Sequence, residues 1–127
     1  MLFYIVEAVI PILTIQLAWA GRLAQRKEKE RHKRAAAIHA ASVWASYLFV
    51  WVMIMFGHTM EGNAARWIVD IHLVIIYIIP VLLAFQMATG LKGIRKIHIP
   101  LAVIYVILWA VALVTGGMIF LSHRGYM

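Results

Sequence analysis

The chain has 127 residues, of which 65% are hydrophobic and 13% charged, and it contains no cysteine. Soluble chains are about half apolar and about a quarter charged, so this balance excludes a soluble domain, a disordered tail and a disulfide scaffold. The formal charge of +7 lies between apolar runs, which points to anionic lipid headgroups and not to nucleic acid.

A bilayer core of roughly 30 Å needs about 20 apolar residues per helix. Four stretches meet that length, at residues 1–20, 35–57, 67–89 and 98–122. The runs are continuous and do not alternate, so membrane strands are not expected. The connections at 21–34, 58–66 and 90–97 are short, which predicts an all-α, up-and-down four-helix bundle in a single membrane domain. No internal repeat is read from the sequence.

In the first segment Ala18-Trp19-Ala20 resembles a signal-peptide cleavage site, but the charges follow the apolar run instead of preceding it. A retained first helix is therefore expected. Glu7 and Gln16 interrupt it on opposite-leaning faces, too far apart in angle to form one polar seam. The next loop holds Arg22, Arg26, Lys27, Lys29, Arg31, Lys33 and Arg34, and the loop before helix four adds Lys92, Arg95 and Lys96. Only Arg66 and Arg124 stand on the other side. The positive-inside rule then places both termini and the 58–66 loop on the non-cytoplasmic side, in a bacterial or archaeal cytoplasmic membrane. The stretch from Arg26 to Arg31 reads as a solvated helical extension held near anionic lipid.

Histidines are the informative residues, because polar groups in membrane helices are expensive and mark functional interiors. His32, His39 and His98 fall toward the cytoplasm, and His58, His72 and His123 toward the outside. His98 and His123 lie about 20° apart on the helical wheel, sharing a stripe with Tyr105, Trp109, Ala112 and Gly116. Small residues there would let a flat ring lie close to the backbone. On helix two, His32 and His39 share a face continued by Ser46, Met53 and Gly57; on helix three, His72, Ile79, Gln86 and Gly90 line up.

Neutral imidazoles on facing helices at matched depth are what a six-coordinate haem iron needs, and two such levels would carry one or two b-type haems. The cytoplasmic pair expected is His39 with His98, since His32 is embedded in the basic loop and should be solvated. The outer pair expected is His72 with His58, with His123 as the substitute. The competing reading treats these rings as interhelical hydrogen-bond partners, or at helix ends as groups facing water. A copper reading stands beside it: Met53, Met55, Met60 and Met118 join the outer histidines, and His58-Thr59-Met60 sets an imidazole near a thioether.

Asp70, two residues before His72, could orient an imidazole, serve a quinone site or simply face headgroups. Pro80 should kink helix three, and Pro100 is expected in the first turn of helix four, where its missing N–H costs nothing. No phosphate loop, dinucleotide fingerprint, zinc-protease motif or nucleophile elbow is present.

His32-Lys33 before helix two, His58 at its outer end, His72 followed by Pro80, and above all the spacing His98…Trp109…Thr115-Gly116 resemble a small four-helix membrane family, domain of unknown function 420. The resemblance runs from His32 to about Leu121. It implies a four-helix membrane fold, and one branch of the family acts in assembly of haem–copper cytochrome oxidase. His39 and His123 are additions to the family pattern, and extra histidines favour a member that carries redox cofactors itself. The expected function is a b-type cytochrome-like subunit carrying electrons between quinol and the other membrane subunits of a respiratory or redox complex. The alternative is a non-catalytic assembly factor, or a copper or haem chaperone, for a terminal oxidase. A third possibility is a structural subunit whose histidines are polar glue.

Overall fold

The computed structural model describes residues 2–57 and 64–126. They form four helices: α1 (Leu2–Gln25), α2 (Lys29–Met55), α3 (Arg66–Leu91) and α4 (Arg95–His123). Each is long and apolar enough to cross a membrane. The chain divides into two compact units, the first pairing α1 with α2 and the second pairing α3 with α4.

The helices outrun the apolar stretches. Charge limits how deep a residue sits in a bilayer, but Arg and Lys are good helix formers and do not interrupt the backbone ladder. The loops expected at 21–34 and 90–97 therefore shrink to three residues each, Arg26, Lys27 and Glu28 in the first unit and Lys92, Gly93 and Ile94 in the second. The predicted helical extension after Arg26 is real only from Lys29 onward, because the chain reverses first.

Both reversals are Schellman caps, in which a left-handed residue lets two N–H groups reach back to the last carbonyls. In the first, Lys27 has φ 59°, Glu28 N–H donates to the Leu23 carbonyl and Lys27 N–H to that of Ala24. In the second, Gly93 has φ 70°, Ile94 N–H donates to Thr89 and Gly93 N–H to Gly90. Each residue of the second turn stands 66 positions after its counterpart in the first, and the matching extends to His32 N–H on Glu28 and His98 N–H on Ile94. The two hairpin turns therefore share one backbone geometry.

Pro80 sits inside α3 without ending it, as Pro11 does in α1. Pro100 corrects its expectation: α4 begins at Arg95, so the proline lies in the second turn and leaves the Lys96 carbonyl without its usual donor.

Buried positions form single stripes. On α3 they are Ile68, Ile75, Ile79 and Leu83, and on α4 Tyr105, Trp109, Ala112, Thr115 and Ser122. Tyr105 and Trp109 stack at 5.9 Å between ring centroids. In the first unit Ala20, Leu23 and Ala35 close the turn end, and His39, Ala40, Val43 and Met53 are buried further along α2. Leu48, Trp51, Tyr77, Phe85 and Val114 are exposed, an apolar surface suited to lipid tails and not to water. Hydroxyls within the spans fold back on their own helices: Thr14 donates to Ile10, Ser42 to Ile38, Ser46 to Ser42 and Thr89 to Phe85.

Candidate functional site

The most organised polar groups of the second unit lie at its two ends. Near the α3–α4 turn, His98 of α4 places its ring over Gly90 of α3; a Cβ on that glycine would stand 2.9 Å from the ring Cε1. Toward the opposite end, His72 of α3 places its ring over Gly116 of α4, where a Cβ would stand 3.0 Å from Cε1. Each helix therefore gives a histidine to the other's glycine.

A threonine precedes each glycine. The Thr115 hydroxyl lies 2.9 Å from His72 Nδ1, and the Thr89 hydroxyl 3.4 Å from His98 Nδ1. The pattern is His-x16-Thr-Gly, written once from His72 to Gly90 and again from His98 to Gly116. Eighteen residues make five helical turns, so histidine and glycine share one face of their helix. In an antiparallel pair this arrangement brings both ends into register together. The sites stand about 27 Å apart along the helices at 1.5 Å per residue.

Hydrogen bonding assigns the ring protons. His98 Nδ1 lies 2.8 Å from the Gln86 carbonyl, which can only accept, so Nδ1 carries the hydrogen and Nε2 the lone pair. The Thr115 hydroxyl donates to the Val111 carbonyl at 2.9 Å, so His72 Nδ1–H donates to the Thr115 oxygen. An imidazole whose Nδ1–H is held by a carbonyl or hydroxyl presents Nε2 to an iron in a fixed orientation. A haem bound at either end would be held by the one imidazole present there, His98 or His72. The Gln86 side-chain oxygen is buried with no hydrogen-bond partner among the described residues, while its backbone carbonyl serves His98.

The remaining predicted residues are placed differently. His39 is 2% exposed in α2, and its ring bonds to the backbone of Leu13 in α1. His123 is exposed at the end of α4, seven residues and about 10 Å beyond Gly116. His58 and Met60 lie outside the described residues. His32 departs from the solvated position expected of it: it is half-buried, with Nδ1 2.8 Å from the Ala20 carbonyl. The basic loop in which it was placed is largely helix, and the short turn draws it back against α1. Asp70 is exposed and 4.0 Å from Arg66 on its own helix. Among the described residues no three His, Cys, Asp or Glu side chains converge as a metal-ion cage.

Gly116 and its stripe were legible in the sequence, but the ring resting there belongs to His72. Thr89 was missed, although the repeated His-x16-Thr-Gly spacing was available to find it. Compared with known protein families, with curated proteins and with solved structures, the chain finds no match.

Proposed function

We propose that this chain is a b-type cytochrome-like membrane subunit that carries electrons within the bilayer through histidine-ligated haem. The observation that supports this most is the pair of glycine-seated imidazoles, His72 and His98, each with Nδ1–H held and Nε2 bearing the lone pair. A haem bound there supplies a one-electron carrier. The protein's part is to hold each ring at one tautomer and angle, through Thr115 at one end and Gln86 and Thr89 at the other. The separation of about 27 Å approaches the roughly 30 Å hydrocarbon thickness, so each site lies near one membrane face.

Orientation follows from charge: the turns bearing Arg26, Lys27 and Lys92 face the cytoplasm and its anionic lipids. Electron partners are then a quinol and other membrane subunits of a redox complex. The likeness to the domain-of-unknown-function 420 family belongs to this proposal, with the assembly-factor role as its alternative.

The same hydrogen bonds favour a second reading, in which the imidazoles only tie α3 to α4. A reduced-minus-oxidised visible spectrum of the purified chain separates these readings. The bands of an imidazole-ligated haem support the proposal. A colourless protein containing copper supports a chaperone, and a protein with neither supports the structural tie.

A further inference from the structure

We propose that the exposed face of α1 leading to the α1–α2 turn binds one anionic phospholipid, its acyl chain along Ile12, Ile15 and Trp19 and its phosphate held by Arg22 and Arg26. The inference concerns the first unit alone and does not rest on the haem reading.

The five residues recur at alternate spacings of three and four. At 100° per residue they fall within a sector of about 80°, and all five are exposed. Toward the turn this face changes from aliphatic to indole to guanidinium. A phospholipid has the same order from tail to headgroup, and tryptophan is suited to the interface between them. The ten residues from Ile12 to Arg22 span about 15 Å of helix, half of a hydrocarbon core of roughly 30 Å. The face is therefore one leaflet deep, and its charge lies at the level of a phosphate.

Charge complementarity selects an anionic headgroup. The carboxylates of the turn are already engaged: Glu28 pairs with Arg31 at 2.7 Å and Glu30 with Lys33 at 3.6 Å. Among the described residues Arg22 and Arg26 form no ion pair. They stand about one turn apart, and a guanidinium presents paired N–H donors that match phosphate oxygens. A zwitterionic headgroup would set its own cation against them.

The second hairpin provides the comparison. Its turn has the same backbone, and the positions 66 residues after Trp19, Arg22 and Arg26 are Phe85, Ala88 and Lys92. Phe85 is 63% exposed, so this face too is open and apolar. It ends in a single lysine, a point charge without the paired donors of arginine. General attraction to an anionic surface acts on both basic turns, whereas the two arginines beyond a tryptophan belong to α1.

The test is native mass spectrometry of the purified full chain in detergent with equimolar phosphatidylglycerol and phosphatidylcholine, reading the first lipid bound. Wild type should favour phosphatidylglycerol by at least about fivefold, the factor a single cation near an anionic surface supplies. Arg22→Gln combined with Arg26→Gln should remove most of that preference, and Lys92→Gln should leave most of it. Circular dichroism checks the helices of each variant; should the double variant lose helix, the two single variants decide, each losing part of the preference. Inorganic phosphate should not displace the lipid when compared with acetate at equal ionic strength. Four results would overturn the inference: equal binding of both lipids by the wild type, an unchanged preference in the helical arginine variants, an equal loss in Lys92→Gln, or displacement by inorganic phosphate.

Discussion

The Cβ that Gly90 lacks would stand 2.9 Å from Cε1 and 3.1 Å from Nδ1 of His98. The glycine is there because an imidazole occupies the space a methyl group would need. Substitution by alanine should push the ring off the Gln86 carbonyl, an overpacking cost of about 1–3 kcal/mol. Thermal unfolding in detergent and haem content should both fall. Gly21, with nothing within 4 Å of its would-be Cβ, is the internal control: Gly21→Ala should leave haem content alone and raise helix stability by roughly 0.5–1 kcal/mol.

At the opposite end, Gly116→Leu should unseat His72, since even a Cβ comes within 3.0 Å of its ring. The expected destabilisation is about 1–3 kcal/mol, with loss of haem at that end alone. Unchanged stability and haem content in this variant would place Gly116 against lipid.

Thr115 and Thr89 differ in how much their histidines depend on them. Thr115→Val removes the 2.9 Å oxygen partner of His72, whereas Thr89→Val removes a 3.4 Å neighbour from a ring already held at 2.8 Å by Gln86. Interhelical hydrogen bonds in membranes are worth roughly 0.6–1.7 kcal/mol. Thr115→Val should therefore lower unfolding free energy by about 1 kcal/mol and Thr89→Val by less, measured by detergent titration of helicity.

The four helices and their approximate order were readable from run length alone, because a membrane span is set by apolar continuity and little else. Their ends were not. Arg22 and the residues before Arg26 continue α1 because charge does not stop a helix, and Lys27 carries no signal of its left-handed cap. Gly93 does carry one, placed just past the end of α3. The candidate site was half legible: His72, His98 and Gly116 were singled out, and the stripe through Tyr105, Trp109 and Ala112 is the buried face of α4. Which ring lies on which glycine is a matter of antiparallel register, and that follows from a three-residue turn that composition did not reveal. His32 was misplaced for the same reason.

Lys27 and Gly93 occupy equivalent caps at φ 59° and 70°, yet only one is glycine. A non-glycine residue in this region costs on the order of 1 kcal/mol. Lys27→Gly should therefore stabilise the first turn by up to about 1 kcal/mol, and Gly93→Ala should destabilise the second by a similar amount. Opposite signs in thermal unfolding would bear this out.

Orientation is tested by single cysteines in the otherwise cysteine-free chain. Replacements at Glu28 and Lys92, both in the turns, should react with an impermeant maleimide only from the cytoplasmic side. Labelling of either from outside would reverse the assignment.

Haem stoichiometry of single alanine variants asks whether His72 and His98, at separate ends of the α3–α4 hairpin, each hold an iron. Pyridine haemochrome assay of the purified chain should show haem in the wild type. His72→Ala and His98→Ala should each lose a different component of the reduced spectrum while keeping the other. Full haem content in both variants, or no haem in the wild type, would rule out iron at these two histidines.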